Sequence, residues 1–143
     1  MDIPDIAISL IKKHEGFSSR VYLCPAGYKT IGYGHVLRQG EAFNQEISKA
    51  DAEAILYEDL QFYAIAVYSM ILVPINTMQF ASLLSFTFNL GSAALERSTL
   101  RQKLNRLEYF AAANEFLKWV FANGVRLNGL VKRRQDERDL FLS

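Results

Sequence analysis

Cysteine, proline and histidine are scarce in this sequence, which has one, three and two of them among 143 residues. The single cysteine, Cys24, excludes an internal disulfide and a zinc site built on thiolates, and it fits synthesis in a reducing compartment. No sequence motif for a metal ion or a nucleotide is present, so no cofactor is expected. The formal net charge is only +1, which argues against the concentrated basic surface of a nucleic-acid-binding protein.

The N-terminus lacks the basic and apolar segments of a secretory signal peptide, which predicts synthesis in the cytoplasm. Charged residues are also absent from Leu60 to Leu95, a stretch long enough to raise the question of a membrane helix, which needs about 20 apolar residues. Pro74 interrupts this stretch, and glutamine, serine and asparagine side chains dilute it. We therefore expect a buried core without stable membrane insertion, and membrane association is the alternative.

Hydrophobic periodicity predicts a mostly helical chain of the α+β class, folded as a single domain over residues 1–143. A run of β-favouring residues and turn signals predicts a small β-hairpin region over residues 17–36. The longest helix would extend roughly 35 Å at 1.5 Å per residue, enough to bridge two lobes. Helices are predicted over residues 3–14, 48–71, 76–90, 99–107, 109–121 and 131–141.

Several of these helix boundaries depend on capping signals. Ser48 followed by Asp51 predicts the start of the long helix, and Thr99 followed by Gln102 predicts the start of a shorter one. The first helix is ended by a glycine, which places Glu15 at the junction between helix and loop.

The segment from Glu15 to His35 concentrates reactive groups, because a carboxylate, a thiol, a hydroxyl and an imidazole fall within 21 residues. Cleavage of a glycosidic bond needs an acid that protonates the leaving oxygen and a second group that attacks the sugar or guides water. On residue types alone this signal is weak, since most glutamates are solvated surface charges.

The spacing within this segment resembles that of the phage lysozyme family, glycoside hydrolase family twenty-four. Members carry Glu, eight residues, Asp or Cys, five residues and Thr, and Glu15, Cys24 and Thr30 stand at those intervals. The run Thr-Ile-Gly-Tyr-Gly-His that begins at Thr30 is specific to the family. Later segments, Phe86–Gly91 and Gly129–Arg138, are similar as well, so the resemblance covers nearly the whole chain.

The resemblance implies a two-lobed fold with the substrate cleft between the lobes. A small β-hairpin lobe is expected at about residues 15–60, and the helix of residues 48–71 is expected to connect it to the helical lobe. That lobe would comprise about residues 72–143 together with the N-terminal helix.

The same resemblance implies roles for the three spaced residues. Glu15 would be the general acid. Cys24 stands where many relatives have Asp; a thiolate could attack the anomeric carbon or stabilise positive charge there, whereas a neutral thiol could only place water. Its alternative is a small buried hydrophobic residue. Thr30 would hold water or sugar by its hydroxyl, and its alternative is an ordinary strand residue.

Other positions are expected to contribute to substrate binding or to the orientation of Glu15. Lys132 or Arg133 could orient Glu15, as a basic residue of this region does in relatives. Alternatively, these side chains could contact the anionic wall polymer or form a solvated helix face. His35 more often fixes a lobe by hydrogen bonding than transfers protons, and Phe88 and Trp119 are more often core. The predicted substrate-binding residues are Gly32, Tyr33, His35, Phe88 and Asn89.

The implied function is hydrolysis of the β-1,4 bond between N-acetylmuramic acid and N-acetylglucosamine in bacterial peptidoglycan, which causes lysis. The protein is expected to act as a monomer that reaches the wall after a separate holin releases it from the host cytoplasm. One alternative is a lytic transglycosylase, which uses one glutamate but does not require Cys24 and Thr30. The other is a non-catalytic wall-binding or membrane-acting module, favoured by the uncharged stretch.

Overall fold

The computed structural model describes all residues from 1 to 143. Its helices are α1 Asp5–Glu15, α2 Lys49–Met70, α3 Thr77–Leu90, α4 Ser92–Arg97, α5 Thr99–Asn105, α6 Tyr109–Glu115 and α7 Asn128–Leu142, with a 3₁₀ turn at Phe116–Lys118. Its strands are β1 Ser18–Leu23, β2 Lys29–Gly32, β3 His35–Val36, β4 Phe121–Ala122 and β5 Val125–Arg126. The predicted α+β class with a small sheet lobe and a helical lobe is confirmed.

The small lobe is built on an antiparallel sheet in the order β1-β2-β3. Tyr22 pairs with Thr30 across the first two strands, and Ile31 pairs with His35 across the second and third. The predicted hairpin region is therefore correct, and β3 extends it by a third strand. Most of β1 is exposed, so this sheet has little apolar core of its own.

Helix α2 connects the lobes, and its start follows the predicted capping box. The Ser48 hydroxyl accepts a hydrogen bond from the Asp51 backbone N–H at 3.0 Å, and the Asp51 carboxylate accepts one from the Ser48 N–H at 3.2 Å. The helix packs against β2 and β3 at one end and against α3 farther along. Its buried face comprises Ala52, Leu56, Leu60, Ala64 and Val67.

Helix α3 is the centre of the helical lobe, as its apolar composition predicts. Every residue from Phe80 to Thr87 is buried, and α1, α2, α4 and α7 all contact this helix. The uncharged stretch thus supplies much of a 23-residue hydrophobic cluster that forms the core. No helix of the chain combines the length and the hydropathy that a membrane span requires.

The second half of the chain departs from the predicted elements in three places. Helix α4 was not predicted, and the next helix is capped by the Ser98 hydroxyl, which accepts from the Arg101 N–H at 3.0 Å, so the predicted cap at Thr99 is wrong. The helix predicted over residues 109–121 ends at Glu115, because the chain turns into the β4–β5 hairpin. That hairpin is closed by Asn123 and Gly124, both with positive φ, as two-residue hairpin turns require.

Candidate active site

Glu15 is the last residue of α1, and its side chain is 19% exposed. Arg133 on α7 reaches it, with Nη1 donating to Oε2 at 2.5 Å. A carboxylate at a helix C-terminus faces the negative end of the helix dipole, and the guanidinium offsets that unfavourable position. Of the two predicted orienting residues, Arg133 makes this contact and Lys132 is exposed on the same helix.

A buried charge cluster lies behind Arg133. The Glu137 carboxylate is fully buried; it accepts a hydrogen bond from the Ser85 hydroxyl at 2.6 Å and lies 2.7 Å from Arg134 Nε. Burial raises the pKa of Glu137 and lowers that of Arg134, because both lose hydration. The Arg134 guanidinium also lies over the Phe86 ring, 5.2 Å from its centroid.

Gly34 brings the small lobe directly against Glu15. Its φ is +79°, and a Cβ at this position would lie 2.5 Å from Glu15 Oε1. Only a residue without a side chain can approach the carboxylate so closely. The glutamate is thus held between a guanidinium on the helical side and bare backbone on the sheet side.

Cys24 and Thr30 lie together at the turn between β1 and β2. The Cys24 backbone N–H donates to the Tyr28 carbonyl at 3.0 Å, and the buried Thr30 hydroxyl donates to the same oxygen at 3.0 Å. The pKa of the Cys24 thiol is lowered, first by a hydrogen bond from the Tyr28 backbone and further by the Ala26 and Gly27 backbones and the Thr30 hydroxyl. The turn therefore favours a thiolate at Cys24.

Glu15 and Gly34, which lie against each other, each line a separate surface groove. The smaller, about 280 Å³, is lined by Glu15, Gly16, Phe17, Ser18 and Tyr22. The larger, about 440 Å³, is lined by Gly34, His35, Val36, Arg38, Asp59, Phe62, Tyr63 and Phe88. A partly exposed carboxylate between two grooves has the placement expected of a proton donor in a polymer-cleaving enzyme. No group of three histidine, cysteine or acidic side chains is placed to hold a metal ion.

Comparison with known proteins decides the family. The family model for phage lysozyme matches residues 12–137. The chain belongs to the phage lysozyme family. It is 42% identical over 149 residues to an endolysin of Acyrthosiphon pisum secondary endosymbiont phage 1, with 100% of this chain and 99% of the relative covered. The endolysin from Escherichia coli O157:H7 phage FAHEc1 has a similar structure, with a TM-score of 0.90 at 31% identity, covering 100% of this chain and 94% of that one.

Another relative is much longer than this chain. The endolysin of Bacillus phage B103 is 43% identical over 145 residues, which cover 100% of this chain and 55% of the relative. This chain therefore spans about half the length of that relative.

The predicted substrate-binding residues of this phage lysozyme occupy three kinds of position. Phe88 is half-buried, lines the larger groove and packs edge-on against Tyr63 at 5.6 Å. Asn89 is also half-buried, and its Oδ1 accepts a hydrogen bond from Arg134 at 2.9 Å, so its side chain is partly engaged within the protein. His35 lines the larger groove with a ring that is 6% exposed.

Gly32 and Tyr33 support the site from behind and offer little surface to a ligand. A Cβ on Gly32 would lie 3.1 Å from the Ala52 Cβ, so this glycine lets the sheet pack closely on α2. Tyr33 is 6% exposed, belongs to the hydrophobic core and packs on Phe17 at 5.5 Å between ring centroids. The Tyr33 ring is therefore a core contact, which the sequence run alone does not distinguish from a substrate contact.

A buried hydrogen-bonded cluster around His35 links the sheet to α2. The ring bonds Asp59 through Nδ1 at 2.7 Å and Glu41 through Nε2 at 2.8 Å. The pKa of His35 is raised, chiefly by the bond to Asp59, and that of Glu41 is lowered, chiefly by a bond from the Arg38 backbone N–H. These partners were not predicted, because Asp59 and Glu41 carry no motif.

Tyr22 is a second residue that motif reasoning missed. It lines the smaller groove, and burial raises the pKa of its hydroxyl, with added contributions from the charges of Glu15 and Cys24. Tyr22 therefore lies near both predicted catalytic groups. A sequence signal was available, since Tyr22 lies only two residues before Cys24, in the segment predicted to be extended.

Proposed function

We propose that this chain hydrolyses the β-1,4 bond between N-acetylmuramic acid and N-acetylglucosamine, with Glu15 as the general acid. Phage lysozymes are glycosidases, and membership of that family supports the reaction class. The observation that carries the residue assignment is the placement of Glu15. Its carboxylate is fixed by Arg133, approached by the Gly34 backbone and left partly exposed in the wall of the smaller groove, beside the glycine that lines the larger one.

In this proposal the glycan lies along both grooves, with the scissile bond beside Glu15. Phe62, which is 67% exposed, and Phe88 offer apolar surfaces to the faces of sugar rings. Glu15 donates its proton to the leaving oxygen, and the sugar ring develops positive charge as the bond breaks. A water molecule then forms the new bond to the anomeric carbon, and its released proton returns the Glu15 carboxylate to the acid form.

Cys24 is proposed as the second catalytic group, supported by its lowered pKa and its proximity to Thr30 and Tyr22. A thiolate can attack the anomeric carbon or stabilise its positive charge, whereas a water-placing role needs only a small polar group. Cys24→Ser should therefore lower kcat by about a hundredfold under the first role and by only a fewfold under the second. Unchanged activity in Cys24→Ala would end any catalytic role for this side chain.

The decisive test is Glu15→Gln, which keeps the shape of the side chain and removes the proton donor. We expect its kcat on purified peptidoglycan to fall by about a thousandfold, within the range measured for general acids. Glu53→Gln serves as control, because Glu53 pairs with Lys12 on the surface at 2.9 Å and lines neither the Glu15 groove nor the Gly34 groove. Wild-type lysis by Glu15→Gln would contradict the assignment.

Product analysis in the same experiment separates hydrolysis from transglycosylation. Mass spectrometry of the digest should show ordinary reducing ends, whereas a lytic transglycosylase leaves anhydro-sugars. Soluble fragments themselves would dismiss a module that only binds the wall. We further propose that the protein acts as a monomer and reaches the wall through a lesion formed by a separate holin.

A further inference from the structure

The buried cluster behind Glu15 contains a carboxylate to which the proposed chemistry assigns no role. We infer that Glu137, together with Ser85, is a positioning residue that fixes Arg133 and thereby the direction of the Glu15 carboxylate. This inference rests on the proposed function, since it concerns how the proposed acid is held. Neither residue lines either groove, so neither is expected to touch the substrate.

The argument begins with the geometry of Arg133. Its Nη2 donates to the Ser85 carbonyl at 3.2 Å, and its Nε lies 3.4 Å from both the Ser85 hydroxyl and Glu137 Oε2. A guanidinium is planar, so contacts at Nη2 and Nε fix the direction of the remaining nitrogen, Nη1. Nη1 is the atom that donates to Glu15.

The second step concerns charge. Two guanidinium groups, Arg133 and Arg134, face two carboxylates, Glu15 and Glu137, in a volume where three of the four side chains are at most 4% exposed. From α3 this group meets Ser85, Phe86 and Asn89, all of which are neutral. From α1, besides Glu15, it meets His14, whose pKa is lowered by burial and in part by the Arg133 charge. Without Glu137, both guanidinium charges would act on Glu15.

A purely structural role for Glu137 is the competing explanation, because a buried carboxylate between two arginines also stabilises the packing of α7 on α3. The two explanations differ in what a charge change does to catalysis. A structural role lowers the folded fraction and leaves the chemistry of each folded molecule unchanged. A positioning role changes kcat and its pH dependence in molecules that remain folded.

Glu137→Gln is the test, and Glu115→Gln is a matched control. Glu115 is also a buried glutamate of the helical lobe, with a side chain 5% exposed and two cationic partners, Lys103 at 3.0 Å and Lys118 at 2.8 Å. On soluble peptidoglycan fragments, Glu137→Gln should lower kcat by about tenfold at nearly constant KM. The pH dependence of its kcat should also differ from wild type, because the two guanidinium groups would lack their buried counter-charge. Glu115→Gln should keep the wild-type kcat and pH profile.

A double-mutant cycle distinguishes an effect that acts through Arg133 from a general loss of folding. If Glu137 acts through Arg133, Glu137→Gln should cause little further loss of kcat once Arg133 is already replaced by Gln. Ser85→Ala keeps every charge and should lower kcat by a fewfold, which provides a second variant if Glu137→Gln does not fold.

Additive losses in the cycle, or a Glu137→Gln profile identical to that of Glu115→Gln, would overturn the inference. So would a Ser85→Ala variant with wild-type kcat. In each of these outcomes an active wild type, together with an inactive Glu15→Gln, would leave the proposed function standing. An inactive wild type would instead reject the proposed function itself.

Discussion

The two lobes hold Glu15 by different physical means. The small lobe contacts it with the backbone of Gly34, at a position where any side chain would collide with the carboxylate. The helical lobe contacts it with Arg133, whose charge is anchored in a buried cluster with Glu137. The Gly34 contact requires a residue without a side chain, and the Arg133 contact requires a positive charge. Different substitutions should therefore disrupt the two contacts.

The lobes also differ in what stabilises them. The helices and the residues that flank them supply all but one residue of a 23-residue hydrophobic cluster, and the sheet region adds only Tyr33, in the turn between β2 and β3. In place of an apolar core, the sheet is tied to α2 by the His35, Asp59 and Glu41 cluster. Small sheets without their own core need such external ties, because a few strands alone bury too little surface.

This difference predicts different responses to pH. Arginine stays charged throughout the accessible range, so the contact from the helical lobe does not lose its cation. Histidine changes charge near neutrality, so the tie between the sheet and α2 should weaken as pH rises. Because Gly34 is the chain neighbour of His35, we expect the small-lobe side of the site to be the pH-sensitive one.

Two substitutions, Gly34→Ala and His35→Asn, test the small-lobe contact in different ways. Gly34→Ala is expected to have the larger effect, and that effect should be on catalysis. The new Cβ would push the Glu15 carboxylate away from the position set by Arg133, and a displacement of about 1 Å can cost a hundredfold in rate. We expect kcat to fall by about a hundredfold, measured on purified peptidoglycan, while thermal unfolding changes only modestly.

Gly124→Ala is the matched control for that experiment. Gly124 lies in the β4–β5 turn and has a similar backbone, with φ of +78°, but a Cβ there meets nothing within 4 Å. Both variants therefore carry the strain of a left-handed alanine, and only Gly34→Ala adds the collision. Equal activity losses in the two variants would show that strain, and not the contact with Glu15, is responsible.

Many of the elements that build the two lobes can be predicted from the sequence, because they depend on local signals. The helix periodicity, the capping box of Ser48 and Asp51, and the glycine that ends α1 are each set by a few neighbouring residues. The short interval between Cys24 and Thr30 brings these two residues together across the turn between β1 and β2. The Asn123-Gly124 turn was an equally local signal, but the helical pattern of the preceding residues obscured it.

The buried polar partners could not be predicted, because they are distant in sequence and carry no motif. Ser85 is 48 residues from Arg133, and His35 is 24 residues from Asp59. A single sequence shows that Glu137 follows Arg133 by one helical turn, but not whether that face is buried or solvated. Only the packing of α7 on α3 decides it.

His35→Asn tests the pH-sensitive hydrogen bonds between the sheet and α2. It should have the smaller effect on activity, and its main effect should be on the free energy of unfolding. The raised pKa of His35 means that its stabilising contribution is complete below about pH 6.5, its unfolded value, and is lost as pH rises through the folded pKa. The lowered pKa of Glu41 means that its contribution is complete above about pH 4.3 and is lost as pH falls through its folded value. The cluster should therefore stabilise most between about pH 4.5 and 6.5.

In urea unfolding at pH 5.5 we expect His35→Asn to lose about 2–3 kcal/mol, as for charged hydrogen bonds, and clearly less at pH 9. His14→Asn is the control with the opposite sign, because burial lowers the pKa of His14 and its protonation therefore destabilises the fold as pH falls. The cost of replacing His14 should rise with pH, whereas the cost of replacing His35 should decline. Parallel slopes for the two variants would mean that the His35 cluster does not make the small lobe pH-sensitive.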